Sequence, residues 1–393
     1  MISSRFAEDI TKDKIVHDAD QYDKTLHIIK ARITNLTNAQ STTSPAVKAE
    51  DVFLYLTGMA SIYNAHQMIS QYGKGQGKKT IQFGVSYASS RRIQNEFNGT
   101  AGATYVPYNS ENDFKKLVHE LAKRDTCAVF CEAPSNPLLH TIDLPRLKEM
   151  TNKYDVPLVI DNTIGTWLDV DVTPYADVIV TSLTKSFTGG GNVMGGALTL
   201  NPSSKHYTEY RAHLHEHHKD HLYIRDALEI EKQSRTFEQR VDGMNAQALK
   251  LVALLQSSSV VKQVNHPSVI DTDAYNKIRK PNGGYGSLLS FTMHDPENAV
   301  KLYDSLQGFK GQSLGMHFTI ALMYGIFANP DKQNPTILNP TLDPIALDPL
   351  MIRVSVGCEG LNPVEDFKQA LAGLDNAQPA LSTSLVNFTA THN

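Results

Sequence analysis

The sequence predicts an α/β fold built around a mostly parallel sheet. Short β-rich runs recur at residues 80–85, 103–107, 127–131, 157–160, 177–181 and 196–200. Helix-like segments separate most of them, at residues 89–97, 111–122 and 144–154. Strands alternating with helices in this way predict βαβ units. The strand runs are nearly continuous in apolar residues, as expected where helices cover both faces of a sheet.

In chain order, residues 1–45 are polar and partly helical by pattern, with Leu26, Ile28, Ile29 and Ile33 as a weak apolar stripe. They form an amino-terminal arm, and residues 38–45 read as a loop or linker. Residues 46–250 hold the alternating pattern and form the larger domain. A helix opens at Thr57 and is expected to run to Tyr72, with Met59, Ile62, Tyr63 and Ile69 on its apolar face. A long helical region is expected over residues 205–255. Residues 251–376 form a smaller domain with a strand at 286–293, a helix at 297–306, an irregular proline-rich stretch at 329–349, a strand at 350–356 and a helix at 363–374. Residues 377–393 read as a flexible tail.

Composition excludes several function classes. At 393 residues the chain suggests two or three domains of roughly 150 residues. A formal charge of −4 argues against a dedicated nucleic-acid binder. No apolar run approaches the ~20 residues of a membrane span. Three cysteines cannot all pair; Cys127 and Cys131 flank an apolar run and read as buried thiols, which favours a reducing, cytoplasmic setting. The amino terminus carries acids and no hydrophobic segment, so it does not read as a secretory signal.

In open α/β sheets ligands sit beyond the carboxyl ends of the strands, so polar residues there carry most weight. Asp161 ends one strand and is either a turn former or the partner of a ligand cation. Lys185 lies just past the next strand, beside Ser182, Thr184 and a glycine-rich loop; it suits a Schiff-base or phosphate-binding lysine, or a solvated loop. Thr57 caps a helix whose Gly58 and Met59 N–H groups could meet a phosphate, or the helix is simply well capped. His66, near that helix's apolar stripe, reads as a packed core histidine. Arg353 shares one strand face with Ser355, while Ile352, Val354 and Val356 take the other; it needs a carboxylate or another anion, in a structural pair or as a substrate clamp.

Two features are set aside. Residues 73–80 resemble a phosphate loop but lack its Gly-Lys-Ser/Thr ending. The histidines His213, His215, His217, His218 and His221 resemble a metal cluster, with three at helical spacing, but they sit in a highly polar segment and read as a solvated helix. No metal is expected.

Taken together, the chemistry-bearing segments resemble one family. They are YLTGMASIYNAHQ (55–67), FGVSYASSRRIQNEF (83–97), EAPSNPLLHTIDLP (132–145), PLVIDNTIGTW (157–167), ADVIVTSLTKSFTGGGNVMGG (176–196), SRTFEQR (234–240), GQSLGMHFTIA (311–321) and IRVSVGCEG (352–360). Their order and spacing resemble the pyridoxal-phosphate (PLP) enzymes of cysteine and methionine metabolism, in particular fungal-type cystathionine γ-synthases, from about Asp51 to Ala372. The resemblance implies PLP fold type I, the aspartate-aminotransferase-like fold, with a mostly parallel seven-stranded sheet and a smaller α/β carboxyl-terminal domain. It implies that Lys185 forms the Schiff base with PLP and moves protons. Asp161 would pair with the ring nitrogen. Gly58, Met59, Ser182 and Thr184 would hold the phosphate. Tyr87 would stack on the ring, and Asn136 would contact its hydroxyl. Arg353, Ser313 and Asn136 would grip the substrate carboxylate. The implied chemistry is γ-replacement on an O-acylated homoserine by a thiol or carbon nucleophile, in transsulfuration or secondary-metabolite biosynthesis. The implied partners are small amino-acid substrates and further copies of the chain, as a homodimer or homotetramer with the site at a subunit interface.

The sequence also departs from the family's pattern. Relatives bring an aromatic-x-Arg from a neighbouring subunit to the cofactor phosphate. The matching stretch here is Phe6-Ala7-Glu8, close to the start of the chain, with Arg5, Lys12 or Lys14 as substitutes. Gly189-Gly190-Gly191, His317 and residues 329–349 differ from the family's substrate-pocket pattern. Two alternative readings follow, a PLP-dependent carbon–sulfur lyase and a catalytically impaired partner subunit.

Overall fold

The computed structural model describes residues 3–71, 75–107, 110–328 and 347–375. The amino-terminal arm forms two helices, α1 (Ser4–Thr11) and α2 (Ala19–Asn38). Leu26, Ile29 and Ile33 of α2 are buried as the stripe predicts, whereas Ile28 is only half-buried and Leu36 completes the face. The expected linker is pinned at its start: the Asn38 side chain exchanges hydrogen bonds with the backbone of Val47 at 2.8 and 3.1 Å.

A strand the sequence pattern did not reveal, β1 (Val52–Tyr55), comes next. It is followed by α3 (Gly58–Ser70), β2 (Lys79–Phe83), α4 (Ala88–Glu96), β3 (Ala103–Val106), α5 (Glu111–Ala122), β4 (Thr126–Glu132), α6 (Leu144–Tyr154), β5 (Leu158–Asp161), the short α7 (Thr166–Asp169), β6 (Val178–Ser182) and β7 (Gly196–Leu200). The seven strands form one sheet in the order β1-β7-β6-β5-β4-β2-β3. Only β7 runs antiparallel to its neighbours. Alternate residues feed two cores. Val129, Cys131, Leu158 and Ile160 meet the face carrying α5 and α6. Ala128, Phe130, Val159 and Val180 meet the face carrying α3. This double burial is why the runs read as uninterrupted apolar strings. The three cysteines are free, with Cys127 and Cys131 buried.

The expected long helix is three helices: α8 (Tyr207–His217), α9 (Ile224–Ser234) and α10 (Phe237–Ser257). Because α8 ends at His217, His221 is not on the same helix as His213 and His217. The rings of His213 and His217 stack at 4.4 Å, while His218 turns inward onto Tyr55, at 4.8 Å, and onto Asp220. The single solvated helix expected there is therefore corrected at His218 and His221. Among the described residues no group of three His, Cys, Asp or Glu could hold a metal.

Helix α10 belongs to two cores. Phe237, Val241 and Met244 pack with α2 and β1, and Ala248, Leu251 and Leu255 pack under a second sheet. The expected boundary at residue 250 thus falls inside one continuous helix. Beyond it come β8 (Val261–Asn265), α11 (Thr272–Ile278), β9 (Leu288–Met293), α12 (Pro296–Ser305), β10 (Phe309–Lys310), β11 (Ile320–Met323), α13 (Tyr324–Ala328), β12 (Ile352–Ser355) and α14 (Pro363–Asp375). Five of these make a sheet in the order β10-β11-β12-β9-β8, antiparallel except between β10 and β11. The alternation expected for residues 286–374 held two strands; β8, β10 and β11 carry too little apolar periodicity to be read alone. Helix α3 ends at Ser70, and Tyr72 lies outside the described residues, as do 329–346 of the proline-rich stretch and the tail from 376. No helix among the described residues is long and apolar enough to cross a membrane.

Phe291 of β9 is fully buried and meets Phe367 of α14 edge-on. Truncating a buried phenylalanine removes both transfer energy and packing. Phe291→Ala is expected to lower unfolding free energy by about 3–5 kcal/mol in a urea titration.

Candidate active site

The carboxyl ends of β4, β5 and β6 open into a cavity of about 470 Å³. Gly58, Met59, Tyr87, Asn136, Asp161, Ser182, Thr184, Lys185, Ser313 and Arg353 all line it, as do Glu132, Met194 and Tyr324. The structure therefore brings together the candidate residues of the two sheets and their loops, while the amino-terminal candidates Arg5, Lys12 and Lys14 are not among the lining residues.

Each wall has a local cause. The Thr57 side chain caps α3 by accepting the Ala60 N–H at 3.0 Å. Gly58 follows because a Cβ there would lie 2.6 Å from the Ser182 Cβ, so only glycine lets the helix start meet the end of β6. The first N–H groups of such a helix lack intrahelical partners and face the cavity's anion-friendly end. Thr163 links β5 to β6: its hydroxyl accepts the Ser182 N–H at 2.9 Å, and its own N–H donates to the Asp161 carboxylate at 2.9 Å. The Thr184 hydroxyl exchanges hydrogen bonds with the backbone of Gly195, which fixes the loop after Lys185.

The glycine-rich loop has a packing reason. A Cβ on Gly189, which has φ +71°, would meet the Arg240 guanidinium, and one on Gly190 would meet Gln233. Arg240 donates to the carbonyls of Ser186 and Phe187, both at 3.0 Å, and so clamps the turn that carries Lys185. His317 is not among the cavity-lining residues; its N–H donates to the Gly189 carbonyl at 3.0 Å. Its departure from the family pattern therefore touches the loop's support, which corrects the expectation of a changed pocket wall at that position.

An amine, a guanidinium and two carboxyl groups share the cavity. The Lys185 amine lies 3.3 Å from the Ser313 hydroxyl. Burial, followed by the nearby Arg353 charge, lowers its pKa and favours the neutral amine. Asp161 and Glu132 are cross-strand neighbours in register. Burial raises both above ordinary carboxyl values, and for Glu132 the Asp161 charge adds to the rise. Arg353 is 3% exposed, and burial lowers its pKa to about 10. Its guanidinium donates to the Asn136 Oδ1 at 3.0 Å and to the Gln312 carbonyl at 2.6 Å, and it lies 5.1 Å from the Tyr324 ring centre. Its Nε is buried with no hydrogen-bond partner among the described residues. A buried, unpaired guanidinium N–H is costly and points to an anionic ligand.

Sequence reading missed Glu132 as a site residue. Its signal was weak because an acid ending an apolar strand reads as a turn. Arg5 donates to Asp226 and to the Asn192 carbonyl, and Glu8 pairs with Lys12 on an exposed turn of α1.

With this geometry in hand, comparison places the chain. Residues 3–372 match the family described as Cys/Met metabolism PLP-dependent enzyme, and the chain belongs to it. It is 34% identical over 331 residues to a cystathionine gamma-synthase of Neurospora crassa, covering 83% of this chain and 52% of that protein. It is 37% identical over 313 residues to the cystathionine gamma-synthase-like protein ankD of Aspergillus thermomutatus, covering 78% and 54%. The chain thus spans about half the length of these relatives. Its fold is similar to that of a Xanthomonas oryzae pv. oryzae cystathionine gamma synthase solved in complex with cystathionine, with TM-score 0.72, 20% identity and coverage of 92% and 87%. The fold is PLP fold type I, as the resemblance implied, with β1 supplying the strand the pattern had missed.

The cavity suits the family's cofactor. PLP carries an aldehyde, a phosphate and a ring nitrogen that can be cationic. The cavity offers the Lys185 amine, a helix start beside Ser182, and two buried carboxyl groups at the ends of β4 and β5. Only the neutral amine attacks an aldehyde, and its fraction rises as pH rises through its pKa. The rate of PLP uptake by cofactor-free protein, followed by the visible band, is therefore expected to climb with pH to a midpoint below 10.5, the ordinary lysine value.

Proposed function

We propose that this member of the Cys/Met metabolism PLP-dependent family catalyses γ-replacement on an O-acylated homoserine, with a thiol or carbon nucleophile, in a specialised biosynthetic pathway. The observation that carries the reading is the Lys185 amine, 3.3 Å from the Ser313 hydroxyl, in one cavity with the buried Arg353 clamp. Sequence similarity to synthases and synthase-like proteins of fungi supports it.

PLP, when bound, supplies an electron sink for charge developing at the substrate α-carbon. The chain supplies the rest. Lys185 would hold the cofactor through its amine, then take the α-proton and carry protons between neighbouring carbons. Ser313, 3.3 Å from the Lys185 Nζ, would steady the amine between those positions. Asp161 would pair with the ring nitrogen and keep a proton there. The start of α3, through Gly58 and Met59, and the Ser182 and Thr184 side chains would hold the phosphate. Tyr87, half-exposed at the cavity, would cover the ring. Arg353 and Asn136 fix the substrate carboxylate and so aim the α-proton at Lys185. Tyr87 and Met194 both leave large apolar surface at the mouth, which suits a site closed by a second copy of the chain in a homodimer or homotetramer.

The test is incubation of PLP-loaded protein with O-acetyl- or O-succinylhomoserine and a panel of thiol and carbon nucleophiles, read by mass. Adducts at the γ-carbon support the proposal. Release of a 2-oxo acid without a nucleophile assigns the lyase reading, and cofactor binding without turnover assigns an impaired subunit. Lys185→Ala is expected to lose the visible band and all turnover. Arg353→Lys keeps a charge but loses the planar fork, so KM is expected to rise roughly ten- to a hundredfold with a smaller change in kcat.

A further inference from the structure

Glu132 has no role in the scheme above, yet it is a buried acid beside a second buried acid. It ends β4, is 5% exposed, and sits directly across from Asp161 in the sheet. An acid placed beside another acid in a dry cavity is unfavourable unless both of its oxygens are used. Both are. One oxygen accepts the Tyr87 N–H at 2.6 Å, and the other accepts the Asn136 N–H at 3.3 Å. Tyr87 begins α4, and Asn136 is the residue to which Arg353 donates at 3.0 Å. A single carboxyl group thus joins the backbone beneath the ring-covering tyrosine to the backbone beneath the substrate clamp. A strand end that needed only to fold could carry an apolar residue here without opposing Asp161.

We propose that Glu132 is a positioning residue whose two oxygens set the spacing between the Tyr87 ring and the Asn136–Arg353 clamp. The proposal deepens the functional reading above and rests on it. It predicts that cofactor affinity and substrate affinity fall together when Glu132 is changed. Glu132→Gln keeps the size of the side chain, but it turns one acceptor into a donor that opposes either the Tyr87 or the Asn136 N–H. Glu132→Asp keeps the acid but withdraws it by one methylene.

The experiment uses the full chain, stripped of cofactor and titrated with PLP by its visible band, then with O-acetylhomoserine by the change in that band. Glu132→Gln is expected to weaken PLP binding about tenfold or more and to raise the half-saturating O-acetylhomoserine concentration by a similar factor, as for loss of a coupled contact. In the half-saturating O-acetylhomoserine concentration, its combination with Asn136→Ala is expected to be no more than about twofold worse than the poorer single variant, since Glu132 reaches the clamp through Asn136. If Glu132→Gln fails to fold, Glu132→Asp is expected to show the same paired loss. Wild-type affinities with only a lower melting temperature, or effects of the two substitutions that multiply, overturn the proposal. A wild-type chain that takes up no PLP overturns the cofactor reading itself, and is told apart because it fails before any substitution is made.

Discussion

Two carboxylates, Glu132 and Asp161, end adjacent parallel strands inside a cavity whose opposite wall is the buried Arg353. Much of the site follows from that arrangement. Like charges held this close in a low-dielectric space disfavour one another, so burial and mutual repulsion push the pair towards keeping a proton. Arg353 is committed to Asn136 and to backbone carbonyls. Lys185 is pushed toward its neutral form by burial and by Arg353. Burial thus disfavours the charged forms of Glu132, Asp161 and Lys185 alike, and a ligand carrying both a cation and an anion would favour them again.

Holding such a cavity open requires rigid walls, and glycines provide them by close approach. Gly58 lets α3 meet β6, and Gly196 lets β7 pass against the Thr57 carbonyl, where a Cβ would lie 2.2 Å away. The glycines after Lys185 make room for Arg240 and Gln233, which lock the loop from behind. Their small size serves packing around the site, and the phosphate-friendly surface is formed at the start of α3.

The amino-terminal arm follows the same logic on the outer side of the loop. Phe6 packs on Tyr223 at 4.8 Å, Asp9 is buried against Tyr223 and Arg225, and Arg5 reaches the Asn192 carbonyl in the loop that carries Met194 to the cavity. Phe6 and Arg5 thus brace α1 against the start of α9 and the loop at Asn192.

The sequence by itself determined the strand-helix alternation, because strands buried on both faces must be apolar throughout, and it marked the polar residues at their ends. Asp161, Lys185, Thr57 with Gly58, and Arg353 were legible for that reason. The face alternation of β12 was legible too: Ile352, Val354 and Val356 lie in the core and Arg353 in the cavity. Strand β1, the break of one long helix into α8, α9 and α10, and the short strands β8, β10 and β11 were not. Their identity depends on pairing with distant segments, and short runs carry too little periodicity to show it. Only the tertiary structure decided that Glu132 belongs to the site, because its meaning lies in the backbone N–H groups it receives from Tyr87 and Asn136. Only the tertiary structure decided that Arg353, 168 residues beyond Lys185, faces it across one cavity, because α10 ties the two sheets' cores into a continuous frame.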